Sequence, residues 1–183
     1  MVAEAPLRET EAGLVPGDEG WFVLNAREAR WRDRPRRGKS LPFEGPLDFP
    51  QIGITVYVLG PGEPIGMYHW EADQEDFLVL SGEALLLVEG QERPLRRWDF
   101  VHCPPHTNHI IIGAGEGLCA VVAVGARERQ REAGEGWGGY PVSELAARHG
   151  ASVERETNDA EEAYARFPDP LPTRYGEGWL PAE

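Results

Sequence analysis

The stretch His69-Trp70-Glu71-Ala72-Asp73-Gln74-Glu75, followed after six residues by Gly82, decides how this chain is read, together with the distant run Pro104-Pro105-His106-Thr107-Asn108-His109. Side chains two apart on an extended chain share a face, so His69 and Glu71 point to the same side. A short turn through Ala72-Asp73-Gln74 then carries the chain into the next strand and returns the Glu75 carboxylate to the same interior. His109 completes the set from another strand. Two imidazoles and two carboxylates converging in this way are expected to hold one divalent metal ion, and the donor types admit zinc, iron, manganese or nickel. Glu75 stands just before the apolar run Phe77 to Leu80, where a carboxylate is costly to bury unless a cation or donor compensates it.

Around this constellation the sequence is a series of short β-like runs over residues 54–59, 77–80, 84–88, 100–103, 109–112 and 118–124. The turns between them are Gly60-Pro61-Gly62, Ser81-Gly82-Glu83, Glu89-Gly90-Gln91 and Gly113-Ala114-Gly115. Several short strands at close spacing mean an all-β sandwich or barrel. Some runs are apolar on both alternating faces, so something must cover the outer face: the segment Trp21 to Leu24, the C-terminal region or a second subunit. Strand parity places Met67, Phe77, Val79 and Ile111 on the side of the metal-binding residues, as the lining of an apolar cup for a small molecule. Tyr57 and Trp98 are expected at its rim.

The flanks are less regular. Residues 1–20 are acidic and rich in Pro and Gly, so a loose terminus is expected. Residues 27–39 hold six Arg and Lys39 against Glu28 and Asp33, which reads as a solvated basic loop, with an acidic face of a second subunit as the alternative. The barrel is expected over residues 21–125 and a packed C-terminal segment over 126–183, with a glycine-rich loop at 134–139. Ser143 caps a short helix stopped by Gly150, and Asn158 or Asp159 starts another that ends before Pro168. Tyr175 and Trp179 in the tail suggest that it docks.

The combination of the two motifs resembles a small single-domain cupin over roughly residues 52–125. His69, Glu75 and Gly82 fall on the first histidine, the glutamate and the closing glycine of the first cupin motif, whose spacing after the glutamate is kept. Asp99, Pro104 and His109 fall on the acidic position, the proline and the metal-binding histidine of the second. The resemblance implies a double-stranded β-helix, or jelly-roll barrel, here with short C-terminal helices, a bound divalent metal and a homodimer. Three positions depart from the family pattern. Glu71 replaces the usual second histidine, Trp98 the opening glycine of the second motif, and His106 its internal glycine. Two carboxylates instead of one neutralise a divalent ion, which makes the centre less positive. Glu71, as a ligand or as an acceptor beside the ligands, and His106, near the barrel mouth, are the candidates for moving protons.

A formal charge of −13 argues against nucleic acid or an anionic membrane as partner. No apolar run approaches the about 18 residues of a membrane span, and the start lacks signal-peptide character, so a cytoplasmic protein is the default. Cys103 and Cys119 read as buried small residues, His102 as a strand residue with a structural partner, and His149 as a helix-end residue. The function expected is that of a metal-dependent enzyme of the oxygenase or isomerase class acting on a small organic molecule. A non-catalytic sensor or binding module is the alternative.

Overall fold

The computed structural model describes residues 1–129 and 137–182. The expected runs are all strands, and most reach one or two residues further than the apolar pattern. They are β5 (Ile52–Leu59), β7 (Glu75–Ser81), β8 (Glu83–Val88), β10 (Phe100–Cys103), β11 (His109–Ala114) and β12 (Cys119–Ala126). Eight more complete the described set: β1 (Leu7–Thr10), β2 (Gly13–Pro16), β3 (Trp31–Asp33), β4 (Lys39–Pro42), β6 (Trp70–Glu71), β9 (Gln91–Arg96), β13 (Gly138–Gly139) and β14 (Leu171–Thr173). β9 carries Pro94 and is exposed along most of its length. It escapes an apolar pattern because an edge strand needs no second buried face and tolerates proline.

One antiparallel sheet runs β10-β7-β12-β5-β4-β3-β14, and a second runs β11-β8-β9. The segment before β6 extends the second sheet along β11, through the Ile65 N–H to Ile111 carbonyl bond of 2.8 Å and bridges at Pro64–Ile112 and His69–His109. The main core draws on both sheets: Phe77, Val79, Val101, Cys103, Val121 and Ala123 from the first, Leu86, Leu87, Ile110, Ile111 and Ile112 from the second. This is the jelly-roll, double-stranded β-helix arrangement that the sequence implies.

Period-two alternation sorts β5 and β12 cleanly. Leu59, Cys119, Val121 and Ala123 enter the barrel core, while Val56, Val58 and Ala120 enter a second cluster on the outer face. That outer face is covered from within the chain. Trp31 is fully buried there, edge-on to Trp179 with centroids 5.3 Å apart and tilted against Tyr175 at 6.1 Å, and Leu24 and Leu180 pack alongside. The doubly apolar strands therefore need no second subunit to cover them.

Two readings of the flanks change. Residues 1–20 are not loose: β1 pairs with β2 from Leu7–Pro16 to Thr10–Gly13, Ala5 is buried, the Ala5 N–H donates to the Trp21 carbonyl, and the Trp21 N–H donates to the Ala3 carbonyl. Acidic, Pro-rich composition hid a hairpin whose stability comes from pairing. The basic loop is also only partly solvated. Residues 34–38 form a tight turn between β3 and β4 in which Arg36 (φ 64°) and Gly38 (φ 68°) are left-handed, and a Cβ on Gly38 would lie 2.3 Å from the Val58 carbonyl oxygen. Pressing this turn onto β5 buries Arg34 and Arg37.

Both short helices form where the capping residues place them. The Ser143 hydroxyl accepts from the Ala146 N–H ahead of α1 (Glu144–Arg148), and Gly150 (φ 68°) follows it. The Asp159 carboxylate accepts from the Glu161 N–H ahead of α2 (Ala160–Tyr164). Of the glycine-rich loop, Gly138 and Gly139 pair with Glu71 and Trp70, and residues 134–136 lie outside the described residues. Among the described residues no helix is long and apolar enough to cross a membrane.

The two glycine replacements in the second motif keep glycine-like backbone: Trp98 has φ 76° and His106 φ 67°. The fold demands the left-handed turn and the side chain bears the strain, about 1 kcal/mol at each position. Gly82 offers less latitude. At φ 71° it turns β7 into β8, and an added Cβ would meet the Leu118 carbonyl oxygen at 2.3 Å. Gly82→Ala is expected to lower the unfolding free energy by about 2–4 kcal/mol in a urea titration monitored by tryptophan fluorescence.

Candidate metal centre

Sequence distance is closed here by backbone pairing. The His69 N–H donates to the His109 carbonyl (3.2 Å) and the His109 N–H donates to the His69 carbonyl (2.8 Å), so the two histidines stand directly opposed. Their rings lie 4.8 Å apart between centroids. Each ring is then turned by the same device. Nδ1 of His69 lies 2.8 Å from the Met67 carbonyl, and Nδ1 of His109 lies 2.8 Å from the Thr107 carbonyl. A carbonyl only accepts, so both Nδ1 atoms carry protons and both Nε2 atoms face the Glu75 carboxylate, free to ligate a metal once unprotonated.

Glu75 opens β7, paired with Cys103 of β10 on one side and Gly125 of β12 on the other. Its Oε2 lies 3.0 Å from His109 Nε2 and 3.9 Å from His69 Nε2. The donor atoms of His69, Glu75 and His109 all fall within 4.8 Å of one another. Bonds of about 2.1 Å to a common ion give ligand edges of about 3–4 Å, so the three fit a divalent metal with small inward adjustments. Glu71 stands beside this group. Its Oε1 is 3.5 Å from His69 Nε2, and it lines the same cavity.

Electrostatics support the same grouping. His109 is only 2% exposed, and burial alone would pull its pKa down; contact with Cys103 and the Glu75 carboxylate outweighs this and holds it well above the usual histidine range. Burial pushes the Glu71 carboxyl up, Glu75 adds to the rise, and the His69 contact opposes it. The raised pKa favours the protonated His109 imidazole in the metal-free protein, with Nε2 facing the Glu75 carboxylate.

The cavity at this centre measures about 190 Å³ and is lined by His69, Glu71, Glu75, Phe77, Ile110 and Ile111, with Arg34, Tyr57, Ile65, Gly66, Trp137, Tyr140 and Tyr164 closing the other side. A second cavity of about 150 Å³ meets it at Tyr57, Glu71, Glu75 and Trp137. Phe77 and Ile111 thus lie where parity places them, and Tyr57, expected at the rim, lines the cavity too. Met67 and Val79 do not. Met67 is fully buried in a separate cluster with Tyr140 and Ala163, because the segment before His69 is irregular and parity fails there. Val79 sits deeper in the barrel core. Trp98 is 62% exposed and lines neither cavity.

His106 is not brought to the cavity. Its backbone N–H donates to the Glu71 carbonyl at 2.7 Å, but its imidazole is exposed and packs on the Trp70 ring, with centroids 5.0 Å apart. His102 bonds Asp76 at 2.6 Å, and His149 ends α1 while its ring meets Glu92 at 3.0 Å. Both cysteines are buried and unpaired, and burial pushes the Cys119 thiol up to about 11.

Sequence reasoning missed Arg34, Tyr140, Tyr164 and Trp137. Nothing separates Arg34 from the other arginines of its run except the tight turn at Gly38. Tyr140 and Tyr164 lie in the C-terminal segment, whose path over the barrel mouth is a matter of tertiary packing.

The fold and the convergent His/Glu/His group define a jelly-roll domain with a potential metal site. Residues 55–125 match the family model of the cupin domain, the family that the two motifs of the sequence resemble. A comparison with curated proteins finds no match. Among solved structures, the chain is similar to a putative sugar phosphate isomerase from Acidithiobacillus ferrooxidans, with 30% identity over 42% of this chain and 51% of that one and a TM-score of 0.41. It therefore spans about half the length of that relative. A cupin-like protein from Thermotoga maritima is 17% identical over 64% of this chain and 88% of that one, with a TM-score of 0.49. An RmlC-like cupin family protein with a double-stranded β-helix fold from Methanocaldococcus jannaschii is 18% identical over 48% and 80%, with a TM-score of 0.43.

Because the raised His109 pKa means that metal binding displaces a proton, metal affinity should rise with pH. The sign is opposite for the metal-free fold: a histidine pKa raised by folding stabilises below the unfolded value near 6.5, and that contribution fades as pH climbs through the folded value. Zinc titration calorimetry on EDTA-treated protein in buffers of different ionisation heat should show one ion per chain. It should also show net proton release and a Kd that tightens by up to roughly tenfold per pH unit over about pH 6–8. His109→Ala should abolish the binding.

Proposed function

We propose that this protein is a metal-dependent enzyme of the isomerase or oxygenase class, acting on a small organic molecule in the cavity at His69, Glu75 and His109. The observation that carries the reading is the orientation of both imidazoles by backbone carbonyls two residues earlier, which aims their Nε2 atoms and Glu75 at one point on the cavity wall. Core histidines held only for packing have no reason to direct two Nε2 atoms and a carboxylate at the same space. His69, Glu75 and His109 would hold the metal, with Glu71 as a fourth ligand or as the group beside them. A divalent ion bound there supplies Lewis acidity to a substrate oxygen.

The chain's own residues do the rest. Glu71 lies in the cavity with its pKa raised by burial and by Glu75, which suits a carboxylate that takes a proton from a substrate carbon or oxygen and returns it. The Tyr140 and Tyr164 phenols are also pushed up by burial and stay neutral, so they act as hydrogen-bonding walls. Phe77, Ile110 and Ile111 supply the apolar side and exclude water. His106 is exposed against Trp70 and takes no part in this scheme, although sequence position made it a candidate.

Two assays on the metal-loaded protein separate the classes: deuterium incorporation from D2O into candidate small molecules, read by NMR, and oxygen consumption. Stable ligand binding with neither signal would favour the sensor alternative. Glu71→Gln is expected to keep the metal, as read by elemental analysis, and to lower turnover about 10²–10⁴-fold, the usual range for loss of a general base. Loss of metal from that variant would instead make Glu71 a ligand.

A further inference from the structure

Arg34 comes from the β3–β4 turn, far in sequence from either motif, yet it is only 8% exposed and lines the cavity that holds His69, Glu71 and Glu75. Burying a guanidinium is expensive, and such groups are usually paired with a carboxylate. Among the described residues Arg34 has no such partner. Of its five N–H donors, one goes to the Ile65 carbonyl, and the guanidinium carbon stands 5.0 Å from the centroid of the Tyr57 ring. Arg127, the other arginine bordering these cavities, is neutralised by two hydrogen bonds to Glu44.

Arg37 strengthens the contrast. It is equally buried, stacks over Tyr164 and Phe167 at 4.9 and 4.6 Å, and leaves its Nε without a hydrogen-bond partner. Arg37 does not line the cavity, so it adds positive potential from behind Tyr164 and no direct contact. The cavity lining is therefore bipolar: it holds His69, Glu71 and Glu75, with His109 buried against Glu75, and also an unneutralised guanidinium beside Tyr57 and Tyr164. With a divalent ion balanced by Glu71 and Glu75, Arg34 is the one charge left over.

We infer that Arg34 is the anchor for a carboxylate, and that the substrate is a small monoanionic organic acid whose carboxylate meets Arg34 while its other end faces the His69, Glu75 and His109 wall. The inference rests on reading this cavity as the substrate site. One exposed guanidinium edge matches one negative charge, and bidentate geometry favours the planar carboxylate. A volume of about 190 Å³ restricts the acid to a handful of carbon atoms. Phosphate shares the anionic oxygens but is tetrahedral and carries between one and two negative charges at neutral pH, more than one guanidinium balances. Gly66 bounds the same wall: a Cβ there would approach the Tyr164 hydroxyl to 2.5 Å, and that hydroxyl accepts from the Met67 N–H at 3.1 Å.

The test compares matched pairs on the full-length protein, zinc-loaded and EDTA-treated, by titration calorimetry: propionate against propionamide, lactate against lactamide, and inorganic phosphate as a separate arm. Zinc content is measured in parallel. At least one acid is expected to bind the zinc-loaded wild type about tenfold or more tighter than its amide. In Arg34→Gln that preference should fall to about twofold or less, and Arg34→Lys should restore part of it, with zinc content unchanged in both. Arg34 also holds the Ile65 carbonyl, so the acid-over-amide preference of the wild type stands as a test that needs no variant. Equal binding of acid and amide, binding of neither, tighter binding of phosphate, or an acid preference that survives in Arg34→Gln would each overturn the inference. Failure of the wild type to hold zinc would instead count against the proposed function, and the EDTA-treated arm still reads the Arg34 preference.

Discussion

The reciprocal backbone pairing of His69 with His109 is the constraint from which the site follows. Two hydrogen bonds between residues forty positions apart align the end of one segment with the start of β11. Once that pair forms, the carbonyls of Met67 and Thr107 fall where each can hold an Nδ1–H, and the two Nε2 atoms turn to the Glu75 carboxylate. Glu75 arrives from the other sheet at the start of β7. The barrel core of Phe77, Val79, Val121 and Ile111 keeps the two sheets at the spacing that brings its carboxylate to His109.

The same packing concentrates charge in a way that water would not allow. Burial, with Glu75 beside it, raises the affinity of Glu71 for a proton, and contact with Cys103 and Glu75 raises that of His109 against the effect of its own burial. The β3–β4 turn delivers Arg34 to the same cavity, with no carboxylate partner among the described residues. Charges buried incompletely paired are costly to the fold, and such a cost persists where a bound ion or ligand completes the set. The outer face shows the opposite economy: Trp31, Tyr175 and Trp179 close it with apolar and aromatic contacts from the chain's own ends.

Much of the barrel was legible in the residues. Six strands and both helix caps follow from alternation, turn glycines and the capping chemistry of Ser143 and Asp159. What escaped did so for identifiable reasons. β9 is polar and exposed, so no burial pattern marks it. The β1–β2 hairpin has acidic, Pro-rich surroundings that resemble an unstructured terminus. Met67 was misplaced because alternation was extended into a segment that is not a strand, and His106 because closeness in sequence to His109 says nothing about which side of the loop its ring takes. Trp98 and His106 are instructive in another way: the left-handed turns persist without their glycines, since the surrounding hydrogen bonds outweigh the local strain.

The sequence by itself determined the barrel and the group His69, Glu75 and His109, because strand period and motif spacing are local properties that survive without knowledge of the neighbours. Strand parity also put Glu71 beside that group, whereas tertiary structure alone decided that His106 faces solvent and that Arg34 reaches the cavity from a run of otherwise ordinary arginines. These are questions of which surfaces meet. Contacts between segments distant in the chain are settled by packing and backbone pairing, and no single segment encodes them.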